Sequence, residues 1–245
     1  MAFKQDKAQG EPGGKAKKTR RTPNLDKNWA RITTGGSTKQ GNQDRIKVLD
    51  GYNTPPIATE ELLKRVYLPL RVWEPANGND FMSNVLEARG HRVFRSDIFL
   101  WSKRTNKKMD FTAEDAAPPT AWHGKSFSIV SNPPFSKGRQ FVERGMDLLP
   151  VGGHLCLLLR LQFLESQGRK LMFERYPPLK VSIFSKRLPR MHRFDFSLDK
   201  FLKAKEADGE RAAEPGSALA FAWFIWRKER TDKAQRAIKP TLEWI

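Results

Sequence analysis

Residues 132–135 read Asn-Pro-Pro-Phe and follow the run Phe127-Ser128-Ile129-Val130. Each proline fixes its own φ and removes a backbone N–H, and the residue before a proline is held extended. The segment therefore closes the run with a rigid corner that is neither helix nor strand. Such a corner presents two acceptors at a set separation, the Asn132 amide oxygen and the Pro133 carbonyl. Acceptors so placed hold both hydrogens of an exocyclic amine. They aim its lone pair at an electrophile and disperse the positive charge that develops on nitrogen. Pro134 stiffens the corner, and Phe135 can stack on a ring that carries the amine. At average composition this string arises by chance in about one chain in a thousand of this length. That rarity favours chemistry over a plain loop.

Three other acidic segments follow expected strands. In "WEPANGND", residues 73–80, Gly78 would let a ligand approach the backbone, and the next helix would offer free N–H donors. Glu74 can accept from an ammonium there; the alternative is an ordinary tight turn. Asp97 in "FRSDIF" suits the two hydroxyls of a ribose, or caps a helix. Asp110-Phe111 could hold an adenine by a polar contact and stacking, or be a surface Asp beside a core Phe.

These residues need a frame. Helical periodicity and end signals predict helices over 58–66, 80–89, 137–149 and 167–174, with Gly90 and Pro150 as stops. Strands are expected over 70–73, 91–95, 108–111, 127–130, 154–159, 181–184 and 218–226. Alternating strands and helices, with several strands uniformly apolar, imply an α/β fold whose parallel sheet is covered on both faces. Ligands of such sheets sit at the carboxyl ends of the strands.

The string N-P-P-F, preceded one strand earlier by E-P-A-x-G, resembles the motifs of amino-methylating S-adenosylmethionine enzymes. It is most similar to the adenine-N6 DNA methyltransferases, especially the compact phage and prophage type. "GYNTPP", residues 51–56, resembles their upstream cofactor motif, and "LLRLQFLES" and "AFAWFIWRK" resemble later strand segments. The likeness covers roughly residues 50–228. It implies a Rossmann-like class I methyltransferase fold, a single domain with a mostly parallel seven-stranded sheet and helices on both faces. It implies S-adenosyl-L-methionine as cofactor, with Glu74, Ala76 and Gly78 at its methionine part. Asp97 would lie near the ribose, Asp110 and Phe111 at the adenine, and Tyr52 and Thr54 would close over the cofactor beside Asn132. Asn132, Pro133, Pro134 and Phe135 would hold the target amine. One departure stands out: Asp80 occupies the place of the family's second glycine, where it could cap the helix instead. No separate target-recognition domain is visible.

An adenine N6 is out of reach inside a duplex, so the substrate base must be flipped or single-stranded. The chain has 245 residues, a net charge of +18 and a pI near 10.2. Such a balance attracts polyanions. Three basic runs follow expected strands: Lys103, Arg104, Lys107 and Lys108; Lys137 and Arg139; Lys186, Arg187, Arg190 and Arg193. DNA is the expected partner. RNA adenine or guanine N2, a protein glutamine, or a catalytically retired nucleic-acid-binding fold are the alternatives. Residues 1–48 carry 12 Lys or Arg against 4 Asp or Glu and read as a disordered basic arm, followed by a catalytic domain over 49–230 and a C-terminal tail over 231–245. The four histidines lack metal-ligand spacing, so no metal is expected. One cysteine excludes an internal disulfide, and no apolar run is long enough to span a bilayer. A cytoplasmic protein of a bacterial or phage-infected cell is expected. The oligomeric state is not encoded in these signals.

Overall fold

The computed structural model of the chain describes residues 51–189, 191, 217 and 219–245. The expected basic arm over 1–48 lies outside them, as do Arg190 and Arg193. Eight strands form one sheet: β1 (Arg71–Glu74), β2 (Arg92–Asp97), β3 (Lys107–Lys108), β4 (Ser128–Ser131), β5 (His154–Arg160), β6 (Lys180–Ile183), β7 (Phe221–Arg227) and β8 (Thr241–Trp244). Their order is β3-β2-β1-β4-β5-β7-β6-β8. Every pairing is parallel except those of β7, which runs antiparallel to both β5 and β6.

The period-two alternation of strand side chains explains why the central strands are apolar throughout. On β5, Leu155, Leu157 and Leu159 enter one core cluster while Cys156 and Leu158 enter the other. On β7, Ala222, Phe224 and Trp226 join the first, and Phe221, Trp223 and Ile225 the second. Neither face of these strands meets water, so neither tolerates a polar side chain. The first cluster is capped by α3 (Gly138–Leu148) through Phe141, Val142 and Met146, and by α4 (Gln167–Arg175) through Met172. The second is capped by α1 (Pro56–Leu63) through Ala58 and Leu62, and by α2 (Phe81–Ala88) through Met82 and Leu86. Each buried Val, Leu, Phe or Met among these contributes about 1.5–3 kcal/mol. The buried tryptophans keep their N–H groups paired: Trp73 donates to Ser96 Oγ (2.8 Å), Trp223 to Ala58 O (2.7 Å) and Trp226 to Tyr176 O (2.9 Å).

The sheet is Rossmann-like and mostly parallel, with one reversed strand slotted between β5 and β6. Three expectations are corrected. The sheet has eight strands rather than seven. The segment over 231–245 is not a tail: it forms the short helix α5 (Asp232–Arg236) and β8, which pairs in parallel with β6. Glu243 on β8 fixes this pairing by accepting from Ser182 Oγ and from Lys180 Nζ (3.3 Å). The strand expected over 108–111 stops at Lys108. Asp110 accepts from the Thr112 amide (2.8 Å) and hydroxyl (2.7 Å), a local turn that takes the chain out of the ladder.

Candidate functional site

The order of the sheet reverses at β1, whose neighbours β2 and β4 lead away in opposite directions. Crevices open at such switch points, outside the carboxyl ends of the strands. Here β1 ends in Glu74, β2 ends in Asp97, and β4 is followed at once by Asn132.

Between β1 and α2 the chain makes a tight loop. Gly78 and Asp80 both have positive φ, +54° and +64°. The second value is glycine-like geometry held by a non-glycine residue. Asp80 does not cap α2 as the sequence suggested; no side-chain cap bond is formed. Its carboxylate instead accepts from Asn77 Nδ2 (2.8 Å) and from Ser102 Oγ, and ion-pairs with Arg95 (Nε 3.2 Å). Arg95 is buried and also ion-pairs with Glu87 (2.6 Å). These are close charge contacts rather than aligned hydrogen bonds. The loop is thus strapped down by an Asp–Arg–Glu chain whose Asp80 and Arg95 are buried and whose Glu87 is half-exposed.

Glu74 is buried, and burial pushes its carboxyl well above the usual carboxylate range. Ser83 Oγ touches both Glu74 Oε2 and Asn77 Oδ1 (2.5 Å), yet a hydroxyl has one proton. A protonated Glu74 resolves this: it donates to Ser83, which donates to Asn77. Asp97 is also buried, and burial raises it to about 6 against the pull of the Gly78 and Phe99 amides. Its two oxygens accept those amides at 2.9 and 3.1 Å. Asp97 therefore fixes the Gly78 loop rather than capping a helix.

At the end of β4, Pro134 O accepts from the Lys137 amide (2.8 Å), winding residues Phe135–Lys137 into a 3-10 turn that leads into α3. The Asn132 amide nitrogen donates to Thr54 Oγ1 (3.1 Å) and faces the sulfur of Met191 (3.8 Å). Those contacts fix the amide's orientation. Its carbonyl, Asn132 Oδ1, is buried and has no partner among the described residues. A buried unpaired acceptor costs about 1–3 kcal/mol, so this oxygen calls for a partner: a water, an ion or a ligand. Tyr52 stacks near Phe135 (centroids 6.1 Å, planes 27° apart). Phe221 packs on Phe135 at 5.8 Å, and the Arg160 guanidinium lies 4.0 Å from its centre.

The structure thus brings Tyr52, Thr54, Glu74, Ala76 and Asn132 onto one narrow cleft, together with Asn77 and Asn79. Asp110 and Phe111 are not among the residues lining it. Phe111 is 1% exposed, edge-on to Trp73 (5.1 Å) and against Phe141 (4.8 Å), which makes it a core residue rather than a platform for a ring. The roles of Asn77, Ser83 and Thr54's hydroxyl as the cleft's internal straps were not legible in the residue types alone.

The basic runs follow the carboxyl ends of β2, β4 and β6, and so share one edge of the sheet. Lys103, Lys107, Lys108, Lys186 and Arg187 are exposed. Arg104 folds back on α2, donating to Asn84 Oδ1 (2.6 Å) and pairing with Glu87. Arg139 pairs with Glu143 (2.9 Å) one turn along α3, and Lys137 is half-buried. Among the described residues no cluster of His, Cys, Asp or Glu could hold a metal ion, and no helix is long and apolar enough to cross a membrane.

No protein-family model and no curated protein matches the chain. Among solved structures it is similar to a candidate class I S-adenosylmethionine-dependent methyltransferase from Listeria monocytogenes, at 13% identity over 88% of this chain and 72% of that one, TM-score 0.44. It is similar to TrmN from Thermus thermophilus, at 16% identity over 71% and 48%, TM-score 0.40. A modification subunit of a candidate type I restriction enzyme from Vibrio vulnificus YJ016 gives 12% identity over 79% and 51%, TM-score 0.42. The chain spans about half the length of these last two. Likeness at this level leaves substrate and reaction to be read from the site itself.

Proposed function

We propose that the protein is an S-adenosylmethionine-dependent methyltransferase acting on the exocyclic N6 amine of adenine in DNA. The observation that carries this reading is the buried, unpaired Asn132 Oδ1, held facing outward from the Thr54 contact by its own tethered amide nitrogen. Among the described residues the Pro133 carbonyl takes part in none of the turn bonds around it. These two oxygens accept the two amine hydrogens, and the lone pair is thereby aimed away from them. Charge developing on nitrogen is stabilised by two acceptors that need no rearrangement. No general base is required, because the proton leaves after the nitrogen has become cationic.

The cleft suits the cofactor on chemical grounds. Glu74 is a buried carboxyl without an ion pair among the described residues, and it sits where an amino-acid ammonium would restore its charge by pairing. Tyr52, Thr54 and the loop residues Asn77 and Asn79 flank it with Ala76, in a cleft closed down to about 10 Å³ that must open to admit the cofactor. When bound, S-adenosylmethionine supplies an electrophilic methyl group. Glu74 then gives up its proton to bulk water, and Ser83 turns its hydroxyl to the carboxylate. Phe135 serves as stacking surface for the target ring once Arg160 moves off it. The exposed lysines along the same sheet edge hold the strand that carries the base.

The test is incubation of the full chain with methyl-labelled cofactor and unmethylated DNA or RNA, followed by mass spectrometry of the nucleosides. N6-methyladenine from DNA is the expected product. A methylated nucleoside found only in RNA would move the substrate, and no labelled base in either would overturn the proposal.

A further inference from the structure

Beside the Asn132 corner, on the side away from the Glu74 cleft, lies a cavity of about 390 Å³ that none of the roles above employs. It is walled by Arg160, Gln162 and Glu165 at the end of β5, by Arg187 after β6, and by Leu219 and Ala220 before β7. A smaller pocket of about 170 Å³ shares Arg160 and Gln162 with it and includes Phe135 in its wall. The cavity therefore reaches the corner through Arg160.

Arg160 is an unusual arginine. Its Nε is buried and unpaired, and neither its guanidinium nor that of Arg187 has an ion pair among the described residues. Among the described residues its ring contact is the face of Phe135, at 4.0 Å. A stacked guanidinium keeps its edge donors free, and those donors match a phosphate in a two-point fork. Two arginines against one glutamate leave the charged lining at +1, the complement of a single phosphodiester rather than of a polyphosphate.

We propose that this cavity seats the phosphodiester next to the target nucleotide, with Arg160 and Arg187 as its ligands. Arg160 also covers the ring on which the target base would stack. Arrival of the base frees the guanidinium, and the neighbouring phosphate gives it a new partner one side-chain swing away. Insertion of the base and capture of its backbone draw on the same side chain, so each favours the other. This inference rests on the reading of the site as one that takes a nucleic-acid base.

The experiment measures binding of a fluorescein-labelled single-stranded oligonucleotide with one adenine, in the presence of S-adenosylhomocysteine. The companion oligonucleotides carry a neutral methylphosphonate at one linkage beside the adenine or several linkages away. Wild type is expected to lose about tenfold affinity at one adjacent linkage and little at the distant one. Arg160→Gln should bind the all-phosphate strand about tenfold more weakly, lose its sensitivity to the adjacent replacement, and show a salt slope smaller by about 0.7. Arg160→Lys should recover part of the affinity but not the linkage preference. Melting temperature and S-adenosylhomocysteine affinity check that the variants are folded. Equal penalties for the adjacent methylphosphonate in wild type and Arg160→Gln would overturn the phosphate site while leaving methyl transfer intact. A wild type that neither methylates nor binds nucleic acid would overturn the proposed function and this site with it.

Discussion

Replacing Asp80 by glycine sets two effects of opposite sign against each other. The backbone at this residue has φ +64°, which disfavours a side chain by about 1 kcal/mol. Glycine removes that strain. It also removes the carboxylate from a pair whose side chains are 5% and 10% exposed. Stripping one partner from a buried ion pair costs about 3–5 kcal/mol. The lower end applies here, because Arg95 keeps Glu87 at 2.6 Å. The contacts from Asn77 and Ser102 are lost as well. The difference leaves Asp80→Gly less stable by about 2 kcal/mol, or about 4–8 °C in Tm for a domain of this size. Asp80→Asn separates the terms: asparagine tolerates the left-handed backbone and keeps an acceptor, so its loss reports the charge alone. Calorimetric or fluorescence melts of the three proteins at one pH decide the matter. If Asp80→Gly melts at or above the wild type, backbone strain outweighs the ion pair and the loop is not held as argued.

Three further outcomes follow from the same geometry. Asn132→Ala should lower turnover by about 10²–10³-fold, the effect of deleting one preorganised polar group, while S-adenosylhomocysteine affinity by calorimetry changes little; near-normal turnover would refute the role of the free carbonyl. Asp97 titrates near 6 in the fold against 3.8 ordinarily, so the protonated form stabilises the fold; that stability is fully present below pH 3.8 and lost as pH rises through 6. Relative to Asp97→Asn, the wild type should lose about 2 kcal/mol between pH 4.5 and 7 in urea titrations, and parallel profiles would show that Asp97 is not the group responsible. Removing residues 239–245 should lower Tm measurably, because β6 then becomes an uncovered edge and Ser182 and Lys180 lose Glu243; an unchanged melt would reduce β8 to an ornament of the sheet.

The central strands were legible because they obey the simplest rule available. "HLCLLLR" and "FAWFIWR" bury both faces, and only a strand between two helical layers needs that composition. The edges were not. β3 is two lysines, both exposed, held by pairing to Ser96 and Asp97 rather than by any apolar face. β8 reads Thr-Leu-Glu-Trp with three of its four residues exposed. Its place is set by backbone pairing with β6 and by a Glu243 contact 61 residues away in sequence. A strand fixed by its partner rather than by burial leaves almost no periodicity to read.

The same distinction runs through the site. The proline-locked corner is written in four consecutive residues, because prolines act on their own backbone wherever they stand. Whether its acceptor is free depends on Thr54, 78 residues away, taking the amide nitrogen and leaving the oxygen. Phe111 shows the converse. An aromatic after an aspartate fits a ring platform and a core residue equally well, and only the packing of Trp73 and Phe141 against it decides for the core. Arg160 could not be singled out by type in a chain with 45 lysines and arginines. What sets it apart is a guanidinium stacked on Phe135 with no ion pair among the described residues, a property of the surroundings. The residues that shape their own backbone can be read in order along the chain, whereas those whose chemistry depends on being left unpaired emerge only when every neighbour has been placed.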